Sequence, residues 1–197
     1  MKELSLNILD IVQNSIRAKS DEISIEVIEL ESSDLYRIII IDNGTGIPDE
    51  ILETVTDPFV TTRTKRKMGL GLPLLKYHAE LTGGSLMIKK GICRGTEVKA
   101  TFSWKHIDRQ PLGDIAGVIV MLIASNEQIR FIYYHMTEKG EYVFSTEEVK
   151  EYLEVESLSD RILLNDLRSI INENLREIDA SGIDFKENHE PIERLIE

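Results

Sequence analysis

Two hydrophobic periods alternate along the chain, and they predict where its helices and strands lie. Apolar residues recur every three or four positions through residues 3–18, as on one face of an amphipathic helix: Leu4, Ile8, Ile11, Val12 and Ile16. The segments EISIEVIEL and LYRIIIID follow, the first alternating and the second more continuously apolar, and ESSD between them predicts a turn. The N-terminal segment therefore predicts a helix followed by a hairpin.

Residues 43–105 carry a similar set of signals. After DNGTGIP the pattern predicts a short helix from about Asp49 to Val55, a basic loop, and a helix over PLLKYHAEL that ends at two glycines. SLMIKK and GTEVKATFSW predict a second hairpin around GICRG. We expect an α+β fold, a two-layer sandwich with helices on one face of a mixed, mostly antiparallel sheet.

The remainder of the chain predicts a further small α+β region. GDIAGVIVMLIAS is either a buried helix or a strand, since its periodicity does not distinguish them. A hairpin follows that turns at residues 138–140, and Ser145 with Glu148 has the pattern of a capping box at the start of a helix. SDRILLNDLRSIINENLREI predicts a long amphipathic helix. This region either packs on the sheet or stands apart from it.

The distribution of charge suggests two domains. The chain of 197 residues has a net charge of −12. Acidic and basic residues nearly balance over residues 1–105, whereas acidic residues outnumber basic ones by roughly two to one over residues 106–197. The polar stretch WKHIDRQPLGD marks the expected boundary.

Composition also excludes several classes of protein. An acidic chain does not favour a duplex nucleic-acid binder, because phosphate contacts need a basic face. The sequence contains no apolar run of about 20 residues, as a membrane span requires, and it begins without a signal peptide, so we expect a cytoplasmic protein. A single cysteine, Cys93, and scattered histidines do not have the spacing of a zinc site.

The first candidate for chemistry is IIIIDNGTGIP. The isoleucines place Asp42 at the end of a buried strand, and Gly44 and Gly46 let the next turn approach a flat ligand closely. A buried carboxylate needs a hydrogen-bond donor, and the exocyclic amine of adenine is one candidate. Taken alone, the motif also fits a simple turn between a strand and a helix.

The second candidate is the basic loop and the turn KMGLGLPLLKY. Gly69 and Gly71 lead into a helix whose free N–H groups and dipole favour an anion. Arg63 and Lys65, with the two basic residues that follow, add charge that could fold over phosphates. The alternative is a solvated basic loop. Together the two candidates favour a nucleoside triphosphate.

The third candidate lies on the opening helix. Asp10, Asn14 and Arg17 share one face, and the Asn14 oxygen is a plausible Mg²⁺ ligand, since this ion takes oxygen ligands while bridging phosphates. Arg17 could meet a phosphate. The alternative is that these residues mark only the solvated side of the helix.

The order of these motifs resembles the GHKL superfamily, the histidine-kinase-like (Bergerat-type) ATP-binding domains shared by gyrase, heat-shock chaperones, MutL and sensor histidine kinases. LDIVQNSIRA is similar to the N box, DNGTGI to the first glycine box, DPFVTT to the phenylalanine-containing segment, GLGL to the second glycine box, and RGTEVKATF to the closing strand.

The resemblance implies ATP and Mg²⁺ as cofactors, with Asn14 as the metal ligand and Asp42 reading adenine. It implies that Thr96 supports the Asp42 region and that lid residues line the phosphates. The implied binding residues are Asn14, Arg17, Asp42, Gly44, Gly46, Ile47, Thr62, Arg63, Lys65, Gly69, Leu70, Gly71, Leu72 and Thr96.

Two departures from the family pattern bear on activity. The hydrolytic branches carry a glutamate four residues before the N-box asparagine, where this chain has the shorter Asp10, so a catalytic general-base role for Asp10 is doubtful. Arg17 is more similar to the basic residue of the kinase branch. Only thirteen residues precede Asn14, so we expect any phosphoryl acceptor to lie elsewhere, on an unidentified protein partner.

Three functions follow from the resemblance. The first is a stand-alone kinase or ATP-dependent regulator of a protein partner. The second is a non-catalytic switch in which ATP orders the lid and the acidic C-terminal region reports that state. The third is a slow ATPase that forms a homodimer, as in the MutL branch. Membrane and nucleic-acid partners are not expected.

Overall fold

The computed structural model describes residues 3–52, 54–56, 71–91 and 94–181. The elements before residue 105 are α1 Leu4–Arg17, β1 Glu22–Leu30, β2 Leu35–Asp42, α2 Asp49–Leu52, α3 Gly71–Leu81, β3 Ser85–Lys90 and β4 Thr96–Ser103. The later elements are α4 Ile115–Ser125, β5 Arg130–Thr137, β6 Glu141–Ser145, α5 Thr146–Leu153 and α6 Arg161–Glu177. The predicted helices and hairpins are confirmed over the described residues, except that the short helix predicted to reach about Val55 ends at Leu52, and residues 54–56 form a turn.

The strands form a six-stranded sheet in the order β3-β4-β2-β1-β5-β6. Neighbouring strands are antiparallel except β1 and β5, which are parallel. Residues alternate between buried and half-buried along β1 because successive side chains point to opposite faces of the sheet. The α+β class with a mixed, mostly antiparallel sheet is therefore confirmed.

The hydrophobic core lies between one face of the sheet and the helices. Ile40 is opposite Ile25 on one side and Val98 on the other, and the row continues from Ile25 to Tyr133 on β5. All four side chains are buried and belong to one cluster with the apolar faces of α1, α3, α4 and α6. The same register continues along the sheet and places Asp42 at its end, beside the N-terminal end of β1.

Residues 106–181 contribute to this sheet and this core. The segment that was compatible with a helix or a strand is helix α4, which begins where the Asp114 carboxylate accepts a hydrogen bond from Gly117 N at 2.8 Å. α4 packs on α6, and β5 pairs with β1. The sequence left open whether this region packs on the sheet or stands apart from it, and the structure shows that it packs on the sheet. A functional division at residue 105 stays a prediction.

A buried polar cluster ties the two parts of the chain together. Glu29 on β1 is 3% exposed and accepts a hydrogen bond from His135 Nε2 on β5 at 2.9 Å. The other ring nitrogen of His135 contacts the Tyr133 hydroxyl at 2.5 Å. Burial raises the pKa of Tyr133, so its hydroxyl keeps a proton to donate. Ser181, after α6, donates to Glu29 from its main-chain N at 3.1 Å.

The predicted capping box at the start of α5 is wrong in its details. Ser145 is the N-cap residue, but within the described residues its hydroxyl makes no capping hydrogen bond and has no hydrogen-bond partner. Ser145 is also the last residue of β6 and pairs with Ile132, so strand geometry directs its side chain. The hydroxyl of Thr146 instead accepts a hydrogen bond from Phe131 N at 3.0 Å.

Candidate functional site

The centre of the candidate site is the carboxylate of Asp42, at the end of β2. Its Oδ2 atom accepts a hydrogen bond from the Ser15 hydroxyl of α1 at 2.8 Å, and its Oδ1 atom accepts one from Gly44 N at 2.9 Å. The Ser20 hydroxyl lies 3.3 Å from Oδ1. Asp42 is 7% exposed, so these donors satisfy a charge that would otherwise be costly to bury.

The glycines after Asp42 are required by close packing and by backbone conformation. A Cβ atom on Gly44 would lie 2.6 Å from both the Ala18 carbonyl oxygen and the Ser20 hydroxyl. Gly46 has φ +74°, the left-handed region that favours glycine. Ile47 follows in the same loop and is half-buried. The loop is thus held against the turn that ends α1.

The start of β4 lies directly opposite Asp42. Thr96 is the register partner of Asp42 and is buried. Gly95 has φ +84°, and a Cβ atom there would lie 1.8 Å from the Asp42 carbonyl oxygen. The tip of β2 is therefore fixed from two sides, by α1 and by the β3–β4 turn.

The polar face of α1 meets the first turn of α3. The Arg17 guanidinium donates a hydrogen bond to Asn14 Oδ1, so that oxygen faces a positive group. Asp10 lies against Gly71, where an added Cβ atom would be 1.8 Å from Asp10 Oδ2. Gly71 is buried, and Leu72 packs against the core. Helix α1 therefore contacts the start of α3 through Asp10 and the end of β2 through Ser15.

Several residues of the site were not predicted from the sequence. Asn43 Oδ1 accepts hydrogen bonds from the main-chain N atoms of Asp21 and Glu22, both at 3.1 Å, and so ties the loop to β1. The hydrogen bond from the Asn43 amide to Asp21, more than the nearby Arg94, lowers the pKa of the Asp21 carboxyl. Ser15 and Ser20 were also missed. The sequence marks them only as small polar residues: Ser15 lies within an apolar helix, and Ser20 lies just after it.

Part of the predicted site lies outside the described residues. This is the case for the DPFVTT segment and for Thr62, Arg63, Lys65, Gly69 and Leu70. Their predicted contacts with phosphates stay predictions.

The sequence of residues 2–106 matches the family described as histidine kinase-, DNA gyrase B-, and HSP90-like ATPase. This match covers more than half of the chain. The chain belongs to that ATPase family. The resemblance identified from the order of the motifs is confirmed.

One relative in this ATPase family is sporulation kinase D of Bacillus subtilis, which is 37% identical over 96 residues. The alignment covers 48% of this chain and 18% of the kinase. The chain thus spans less than a fifth of the length of this relative.

Two solved structures share the fold of this ATPase-family chain. The N-terminal domain of a DNA repair protein superposes with a TM-score of 0.55 at 18% identity, covering 74% of this chain and 53% of that one. The MutL ATPase domain of Aquifex aeolicus, complexed with ADP, has a TM-score of 0.51 at 17% identity, covering 79% of this chain and 70% of that one. Both extend the likeness beyond residue 105 of this chain.

A surface groove of about 430 Å³ is lined by Asp21 and lies where β1 and β5 begin beside α5. Arg130 in this groove pairs with Glu22 at 3.1 Å and with Glu147 at 2.8 Å. Because these charges satisfy one another, the groove is better explained as a joint between strands and helix than as the site of chemistry.

None of the helices in the described ranges is both long enough and apolar enough to cross a bilayer.

Proposed function

We propose that this chain binds Mg·ATP and uses it to phosphorylate or regulate a protein partner. The observation that carries the proposal is the Asp42 carboxylate, which is buried and fixed by neighbouring donors beside a glycine-shaped loop. Membership of an ATPase family supports ATP as the ligand, and the MutL domain of similar fold was solved with ADP. In this proposal Asp42 reads the adenine amine, Gly44, Gly46 and Ile47 shape the base pocket, and Thr96 supports it.

The residues of α1 fit a magnesium ion bound together with phosphates. Mg²⁺ takes oxygen ligands and keeps several waters, so a single protein oxygen from Asn14 suffices. In the structure that oxygen accepts a hydrogen bond from the Arg17 guanidinium, so we propose that Arg17 turns towards the phosphates when Asn14 binds the ion. When bound, the ion would neutralise phosphate charge. We propose that Arg17, Gly71, Leu72 and the lid residues, Thr62, Arg63, Lys65, Gly69 and Leu70, hold the phosphates.

The test of the base contact is calorimetric titration of Mg·ATP into the Asp42→Asn variant. An amide places an N–H group where the amine needs an acceptor, so we expect roughly tenfold weaker binding or more. Asp34→Asn is the matched control, because Asp34 lies at the other end of β2 and accepts hydrogen bonds from Ser103 and Lys105. Unchanged affinity in Asp42→Asn would refute the proposed contact.

One observation favours the non-catalytic switch over hydrolysis. Asp10 lies against Gly71 at the start of α3 and is one methylene shorter than the glutamate of the hydrolytic branches, so its carboxylate reaches less far towards an attacking water. Transfer to a partner remains the proposal supported by sporulation kinase D, whose name records a kinase. We propose the cytoplasm as the place of action, since Mg·ATP is supplied there.

Labelled ATP separates these alternatives. Incubation with γ-labelled ATP and native cytoplasm should transfer label to a recovered protein if the chain is a kinase, and Asp42→Asn should abolish that transfer. Binding without transfer or phosphate release would support the switch. Phosphate release that is unchanged in Asp10→Asn would support hydrolysis by another base.

A further inference from the structure

The Ser15 hydroxyl is placed to control the direction of the Asp42 carboxylate. Ser15 is 3% exposed and belongs to α1, one residue after Asn14. Its hydroxyl donates to Asp42 Oδ2 at 2.8 Å across 27 positions of sequence. One helix therefore carries both the residue proposed to face Mg²⁺ and a residue that holds the proposed base-reading carboxylate.

The remaining acceptor capacity of Asp42 is restricted. A carboxylate has about four lone-pair positions, two on each oxygen. Oδ1 faces Gly44 N at 2.9 Å and the Ser20 hydroxyl at 3.3 Å. Oδ2 accepts from Ser15, which leaves one position on Oδ2 for a ligand. Because the Ser20 hydroxyl lies beside Oδ1, the remaining position on Oδ2 is the one at which we expect a ligand to donate.

Ser20 offers a comparison with Ser15 inside the same site. Its hydroxyl has one proton, and it lies 2.8 Å from the Ser15 main-chain oxygen but 3.3 Å from Asp42 Oδ1. The proton therefore goes chiefly to the carbonyl, since the shorter contact is the stronger hydrogen bond. Ser20 and Ser15 are both buried hydroxyls beside one carboxylate, but only Ser15 donates strongly to it.

We propose that Ser15 is a positioning residue for base selection: it aims the open position of Asp42 Oδ2 at the exocyclic amine of adenine. The proposal rests on the function proposed above. Without the Ser15 donor, Oδ2 is left with an unsatisfied position, and the carboxylate can turn about its last bond or take up a water. The chain would still bind the phosphates and the ring, but it would no longer distinguish a purine with the amine from one without it.

The test is a binding cycle with two nucleotides and three proteins. The affinities of Mg·ATP and of the magnesium complex of purine riboside triphosphate, which lacks the exocyclic amine, are measured by calorimetry for the native chain, Ser15→Ala and Ser20→Ala. We expect the native chain to prefer ATP by roughly tenfold or more, the usual effect of one hydrogen bond to a charged group. Ser15→Ala should lose most of that preference, and Ser20→Ala should keep it.

A matched pair keeps the test valid if Ser15→Ala unfolds. Ser15→Thr and Ser15→Val have nearly the same shape and differ in whether a hydroxyl is present. The threonine variant should keep the preference for ATP, and the valine variant should lose it. A purely structural role would weaken both nucleotides equally.

The possible failures are distinguishable. Equal loss of both nucleotides in a Ser15→Ala variant that is folded, or a preference for ATP that survives in Ser15→Val, would overturn the positioning role and leave the proposed function intact. A native chain that binds neither nucleotide would overturn the proposed function itself. A native chain that binds both nucleotides equally would overturn the adenine contact of Asp42 and the role of Ser15 with it.

Discussion

At the scale of single residues, glycines and small hydroxyl residues decide how closely the functional segments approach one another. Gly44 contacts the turn after α1, Gly95 contacts the backbone of Asp42, and Gly71 contacts Asp10. In each case a Cβ atom would come within 3.0 Å of another group, closer than side chains normally approach. The site is therefore specified by residues that leave room as much as by residues that bind.

The contact between Gly71 and Asp10 gives a prediction at this scale. An alanine at position 71 would place its Cβ atom 1.8 Å from Asp10 Oδ2, so α3 or Asp10 must shift. The atoms met first are at the end of the Asp10 side chain, which can turn aside, so we expect Gly71→Ala to lower the free energy of unfolding by about 1 kcal/mol, the low end of overpacking effects. Urea denaturation measures this change.

The control is the same substitution in an Asp10→Ala background. The Asp10 Cβ atom is 3.5 Å from the new methyl group, an ordinary contact, so the loss from Gly71→Ala should be much smaller there. An equal loss in both backgrounds would show that the strain has another source.

At the scale of elements, the segment between β4 and α4 supplies hydrogen-bond acceptors to the first turn of α1. Within the described residues α1 has no side-chain hydrogen bond at its N-cap, and its first N–H groups donate instead to main-chain oxygens. Leu4 N donates to Pro111 O at 3.0 Å, and Ser5 N donates to Leu112 O at 2.8 Å. Helix ends need such partners, so a segment that the sequence marks as a boundary is part of the support for α1.

The same segment also connects α1 with α3. Gln110 accepts a hydrogen bond from the Asn7 amide of α1 at 3.3 Å, and its own amide lies 3.3 Å from His78 Nε2 of α3. Partial burial, more than the charge of the N-terminus, lowers the pKa of His78. Both helices that carry the candidate site thus rest on residues 110–112.

Leu112 provides the prediction for this element. Its side chain is fully buried, so Leu112→Ala should lower the free energy of unfolding by about 2–5 kcal/mol. Ile107 lies in the same segment and is 93% exposed, and Ile107→Ala should change stability by no more than about 0.5 kcal/mol. Chemical denaturation of the two variants is the measurement. Similar losses in both would contradict the role assigned to Leu112.

At the scale of the whole molecule, residues 106–181 extend the sheet of the ATPase-family region. β5 covers the edge of β1 through parallel pairing, and the hydrophobic core includes residues from both parts of the chain. The Glu29–His135 hydrogen bond adds a buried polar link between the same two strands. The acidic region is therefore part of the same sheet as β2, the strand that ends at Asp42.

A chain ending at residue 105 tests whether the fold of residues 1–105 depends on residues 106–181. It would lose the partner strand of β1 and the main-chain acceptors of α1, and it would expose apolar side chains of the core. We expect it to unfold at a lower temperature and to associate through the exposed strand edge. Thermal unfolding and light scattering would measure both effects against a chain ending at residue 181. A fragment as stable and as monomeric as that longer chain would support two independent domains.

The sequence alone determined the local elements, since helix and strand periods are fixed by backbone geometry and act over a few residues. It also determined the family and the position of Asp42, because the motifs stand in a characteristic order. Only the tertiary structure decided that α4 is a helix, that β5 pairs with β1, and that Ser15, Ser20 and Gly95 surround Asp42. Those contacts join residues far apart in the chain, and their energies depend on distances between packed atoms that no local pattern records.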